Sequence, residues 1–99
     1  MKRIYIAGPM SGLPNLNYPE FNRVAAGLRK QGHHVENPAE NPECDSWEGY
    51  MRLAIGQMVT CDAIYLLPGW EASRGAEIER NLAMKLDMEI RYLFEPLSV

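Results

Sequence analysis

Four short apolar runs in this chain each end against a proline, and three stretches of helical spacing lie between them. Ile4-Tyr5-Ile6-Ala7 stops at Gly8-Pro9, His34-Val35-Glu36-Asn37 at Pro38, Cys61 to Leu67 at Pro68-Gly69, and Glu89 to Phe94 shortly before Pro96. Short runs bounded by turn formers read as buried strands. A first helix is expected from Pro19, with Glu20 in its first turn, Phe21, Val24, Ala25 and Leu28 on one face, and Gly32 as its stop. Ser46 is placed to cap a second helix carrying Met51, Ala54, Ile55, Met58 and Val59 inward, and Ser73 to cap a third that runs to about Leu86. A β-α-β-α-β-α-β order implies a parallel sheet with helices on both faces, joined by right-handed crossovers. The expected fold is α/β, a small Rossmann-like (flavodoxin-like) sheet of about four to five strands, as one domain over residues 1–99.

Composition narrows the function. A chain of 99 residues, 46% hydrophobic and 23% charged, builds one ordinary globular core. A net charge of −3 and a pI near 5.3 exclude the basic face on which nucleic-acid polymers bind. Cys44 and Cys61 form no CxxC and have no matching His pair, so neither a zinc site nor a disulfide framework is expected, and a reduced, cytoplasmic setting follows. No apolar run approaches the about 20 residues of a membrane span. The first strand meets Gly8-Pro9 too early for a signal peptide.

In open parallel sheets ligands bind beyond the carboxyl ends of the strands, where two unusual segments emerge: Gly8 to Asn15, and Pro68 to Gly75. At about 100° per residue, Gly75, Ile78, Leu82 and Leu86 form the stripe of the third helix that should face the sheet, and Glu79 lies near its middle; Glu77 and Arg80 point away. A carboxylate there is either a rim group paired with Arg52 or Arg74, or an acid aimed into the cleft with its pKa tuned by burial. Ser73-Arg74-Gly75-Ala76 is either a plain serine cap or the positive end of a helix that holds an anion with Arg74. Gly8-Pro9-Met10-Ser11-Gly12 allows close approach to a nucleotide, although it is neither GxGxxG nor a P-loop. Tyr5 reaches the strand ends or packs in the core, and Trp70 stacks on a base or covers the sheet edge. His33-His34 reads as a solvated turn at the opposite end of the sheet, and Met51 and Met58 as core filler. These elements assemble no Ser/His/Asp arrangement, metal site or cofactor motif.

Two of these segments resemble the signatures of the nucleoside 2-deoxyribosyltransferase superfamily. Tyr5-Ile6-Ala7-Gly8-Pro9-Met10 is similar to its YxAGP opening, and Ser73-x-Gly75-x-x-x-Glu79-x-x-x-Ala83 to its second signature. Pro68-Gly69-Trp70-x-x-Ser73-x-Gly75-Ala76 resembles the mark of a compact phage and bacterial branch. The resemblance covers about Lys2 to Ile90. It implies a double displacement at C1′ of a 2′-deoxynucleoside or its 5′-monophosphate, with Glu79 as nucleophile, Tyr5 orienting it, and transfer to a second base or to water. It also implies a 5′-phosphate near Ser73 and the Gly8–Gly12 loop, no cofactor, and assembly as a homodimer or larger. The family's helix aspartate is replaced here by Ala54; Asp45 and Glu48 are the nearest substitutes. Two other readings follow: a nucleotide-binding sensor or accessory protein of the same fold that has given up catalysis, and a purely structural domain. Trp47, Tyr50 and Met51 are the expected interface residues of an oligomer.

Overall fold

In the computed structural model, which describes residues 1–94, the four runs form a four-stranded, all-parallel sheet of order β2-β1-β3-β4. The strands are β1 (Arg3–Ala7), β2 (His34–Glu36), β3 (Ala63–Leu66) and β4 (Glu89–Tyr92), separated by helices α1 (Tyr18–Lys30), α2 (Trp47–Met58) and α3 (Arg74–Lys85). This is the α/β architecture that the alternation predicts. Pro96, expected beyond the last strand, lies outside the described residues.

The central strands are buried on both faces, which is why they read as continuous apolar runs rather than alternating ones. Ile4, Tyr5, Ile6 and Ala7 of β1 and Ala63, Ile64 and Leu66 of β3 are all buried. Alternate residues of β1 serve opposite layers. Ile6, with Val35 and Leu67, packs on Phe21 and Ala25 of α1. Tyr5 and Ala7, with Ile64 and Leu66, pack on Ala54 and Met58 of α2 and on Ala76 and Ala83 of α3.

Chain order and sheet order together fix the position of a cleft. From β1 the chain moves to β2 on one side, then returns past β1 to β3 on the other. Beyond the carboxyl ends of β1 and β3 the connections diverge and leave a cleft. The two strands stay close up to that edge: a Cβ at Gly8 would lie 2.7 Å from Leu67 Cβ.

The structure corrects the helix phases in detail. The side of α3 that faces the sheet is Ala76, Glu79 and Ala83, whereas Ile78 and Leu86 are 39% and 50% exposed. The expected stripe is therefore rotated, because small alanines, not the large aliphatics, let α3 approach the sheet. Val59, expected on the inner face of α2, is its C-cap and is 50% exposed. α1 begins at Tyr18, one residue before Pro19, after a 3₁₀ turn over Pro14–Asn17. In that turn Asn15, Leu16 and Asn17 are left-handed, with φ of 51°, 53° and 61°. Asn17 leaves α1 without a side-chain cap and instead donates its Nδ2–H to the Pro9 carbonyl at 3.0 Å, which anchors the loop after β1. His33 lies at the opposite edge of the sheet, where its Nδ1 accepts the Lys2 amide at 3.1 Å. Among the described residues no helix is long and apolar enough to cross a membrane.

Two glycines with opposite surroundings test this packing. Gly8→Ala should lower unfolding stability by about 1–3 kcal/mol, because Leu67 Cβ cannot swing aside. Gly27→Ala, on the exposed side of α1 with nothing near the added methyl, should raise it by about 0.5–1 kcal/mol. Urea midpoints of the two variants check both signs.

Candidate functional site

Three chain segments converge on the gap beyond β1 and β3 and enclose a cleft of about 1040 Å³. One wall is the loop after β1, Gly8 to Ser11, continued by Leu13, Leu16 and Tyr18. A second is Pro42 to Trp47 with Tyr50 and Met51, from the loop before α2 and its first turn. The third is Pro68, Gly69 and Ala72 to Ala76, from the turn after β3 and the first turn of α3. Tyr5 and Glu79 also line it, from below.

Glu79 sits on the buried face of α3, one turn in, and is only 5% exposed. Its partner is not an arginine. The Tyr5 hydroxyl, rising from the central strand, donates to Glu79 Oε2 in a short hydrogen bond. Glu79 Oε1 has no hydrogen-bond partner among the described residues, and no buried side-chain oxygen there is left sealed and unpaired, so Oε1 opens onto the cleft. Burial pushes the Glu79 carboxyl up to about 7, against the opposing pull of the Tyr5 hydrogen bond. Burial and the adjacent Glu79 charge hold the Tyr5 hydroxyl well above its ordinary value, so it remains a donor. A carboxylic acid poised between its two forms near neutrality, with one oxygen held and one free, can act as a nucleophile or as a proton carrier.

The other expected residues divide clearly. Ser73 Oγ accepts the Ala76 amide at 3.2 Å and caps α3. Arg74 stacks its guanidinium 4.3 Å from the centre of the Trp47 ring, bridging the first turns of α3 and α2. Gly75 keeps those helices close: a Cβ there would lie 3.0 Å from Met51 Sδ. Gly8, Pro9, Met10, Ser11, Ser73, Arg74 and Gly75 all line the cleft, but Gly12 and Trp70 do not. Gly12 is exposed, with a φ of 81°, beyond the loop's inner face. Trp70 packs 5.6 Å from the Tyr92 ring with Arg80 above it, covering the β4 side of the sheet.

Trp47, Tyr50 and Met51, expected at an interface between subunits, form the α2 wall of the cleft. Met51 is buried, and the Tyr50 hydroxyl donates to Met10 Sδ at 3.2 Å across the cleft. The signal for them was available, since in a parallel α/β unit every helix that follows a strand starts at the carboxyl edge. Asp45 lines the cleft as an exposed residue, Glu48 does not line it, and Ala54 is fully buried in the core. Among the described residues no three His, Cys, Asp or Glu side chains cluster as a metal site.

Comparison with known proteins places this geometry in context. Residues 2–92 match a family model described as a domain of unknown function, DUF4406. No curated protein matches the chain. Among solved structures, a 2-desoxiribosyltransferase from Leishmania mexicana superposes over 94% of this chain with a TM-score of 0.76 at 24% sequence identity. The match spans 64% of that protein, and it shows a shared fold.

The raised carboxyl of Glu79 has a sign that stability measurements can read. A carboxyl with an ordinary value of 4.5 when unfolded and about 7 when folded favours the native state while protonated. Wild-type stability should therefore be highest below about pH 4.5 for this group and fall through pH 7, by roughly 3 kcal/mol in all. Glu79→Gln should flatten that part of the profile and be the more stable protein at pH 8, as followed by urea unfolding from pH 5 to 8.

Proposed function

The chain belongs to the DUF4406 family, and from its cleft we propose that it is an N-glycoside transferase or hydrolase acting on 2′-deoxynucleosides or their 5′-monophosphates. The observation that carries this reading is the buried carboxylate of Glu79, held at Oε2 by the Tyr5 hydroxyl and open at Oε1 to a largely apolar cleft at the sheet's switch point. The fold shared with a protein titled a 2-desoxiribosyltransferase supports it, as do the two sequence signatures.

In the proposed reaction, ionised Glu79 Oε1 attacks C1′, the electron pair of the glycosidic bond leaves with the base, and a glycosyl ester remains on the enzyme. Water or a second base then attacks C1′ from the vacated side and gives up its proton, which makes good the proton the departed base takes up; the ester bond returns its electrons to Glu79, and the configuration at C1′ is retained. Tyr5 keeps the carboxylate in one orientation throughout. Gly8, Pro9, Met10 and Ser11 flank the sugar. Ser73, Arg74 and Gly75, at the positive end of α3, suit an anionic 5′ group. The Pro68-Gly69-Trp70-x-x-Ser73-x-Gly75-Ala76 signature supports a compact phage and bacterial branch of such proteins; a cytoplasmic setting and homo-oligomers are part of the same proposal.

Ala54 favours a second reading. Where a helix carboxylate would assist the sugar and leaving base, this chain buries a methyl group. That suits a nucleotide-binding sensor or accessory protein in which Glu79 only binds.

Free base released from all 2′-deoxynucleosides and their 5′-monophosphates, with and without a second base, separates the two by chromatography. Turnover should be lost by roughly a thousandfold or more in Glu79→Gln; retained turnover would overturn the nucleophile. Because the attacking form is ionised, kcat/KM should rise with pH through about 7 and level off above it. Tyr5→Phe removes the hydrogen bond that holds the Glu79 carboxyl down, so the same limb should move to higher pH.

A further inference from the structure

Tyr50 belongs to no signature, yet it is the residue that α2 extends over the sheet edge. At four-residue spacing Tyr50, Ala54 and Met58 share one side of the helix. Ala54 and Met58 are fully buried against the sheet, so the next position toward the helix start emerges above Ala7, at the cleft. The Tyr50 ring packs on the cluster that contains Tyr5 and Ala7. Its hydroxyl is partnered by the Met10 thioether, 3.2 Å away, and a thioether is a weak acceptor.

We propose that Tyr50 is a third working group of the cleft: its hydroxyl leaves the Met10 sulfur on substrate binding and donates to an oxygen or nitrogen acceptor of the N-glycoside held over Glu79. The proposal rests on the N-glycoside reading of the site. Exchange of a sulfur acceptor for an oxygen or nitrogen one gains a stronger hydrogen bond in a half-buried setting, at no cost in unpaired groups. The Tyr5 hydroxyl is already given to Glu79, so among the two tyrosines packed in this cluster Tyr50 is the one whose donor rests on a weak acceptor. Burial, together with the nearby Glu79 charge, pushes the Tyr50 hydroxyl above its ordinary value, so it stays protonated and keeps its donor.

Tyr50→Phe keeps the ring and deletes the donor, and it is tested with the panel of 2′-deoxynucleosides and 5′-monophosphates. In a wild-type protein that releases base, Tyr50→Phe should melt within a few degrees of wild type and lose roughly 10- to 100-fold in kcat/KM. Unchanged kcat/KM, with or without a change in melting temperature, would overturn the role and leave the enzyme reading standing. If wild type releases no base, the enzyme reading fails, and binding of the same panel decides Tyr50, read by protein fluorescence. A Kd at least tenfold weaker for Glu79→Gln/Tyr50→Phe than for Glu79→Gln upholds the contact; equal values, or no binding to either, overturn it.

Discussion

A carboxyl group turned toward a parallel sheet is tolerable only if something answers it, and in this protein the answer comes from the strand at the centre of the fold. The Tyr5 hydroxyl meets Glu79 across the interface between β1 and α3, so the hydrogen bond links the most deeply buried strand to the last helix. Tyr5 is itself 1% exposed, and its ring is part of the core. The interaction therefore has no freedom to rearrange: the ring is fixed by packing, the helix by its contacts with the sheet, and the carboxylate by both. Burial alone would keep the acid protonated at neutral pH, whereas the tyrosine draws it back to where both forms coexist.

The cleft above this pair follows from topology. Strands that run in parallel deliver every following helix start to the same edge, so the first turns of α2 and α3 stand side by side there. Two close approaches keep that edge tight, Gly8 against Leu67 and Gly75 against Met51. The stack of Arg74 on Trp47 and the hydrogen bond from Tyr50 to Met10 then join the walls above the floor. Each contact links residues far apart in sequence, and each has at least one member lining the cleft.

Much of this was legible in the sequence, for identifiable reasons. Proline after each strand and serine before α2 and α3 are local signals, and the structure places both caps as the residues suggest. Glu79 stood out because an acid breaks the pattern of an apolar face. The exact phase of α3 was not legible, because its buried stripe is made of alanines, which a reading weighted toward large aliphatics passes over. The place of Tyr50 and Trp47 in the cleft was missed, because the long connection from Glu36 to Ser46 hides the fact that it ends beside the loop after β1. The left-handed turn at Asn15–Asn17 has no glycine to announce it, and Leu16 in particular is an unusual residue for that conformation.

The small side chains beneath Glu79 have a consequence beyond packing. Ala76 and Ala83 flank the glutamate on the face that touches the sheet, and both are fully buried. Any larger residue at either site would lift α3 and, with it, the carboxylate from the Tyr5 hydroxyl. Substitutions that elsewhere in a core would trade only stability would here also shift the proton affinity of Glu79. Packing beneath α3 and the chemistry of the cleft are therefore tied together, while Ile78 on the outer face of the helix, which is 39% exposed, lies outside that constraint.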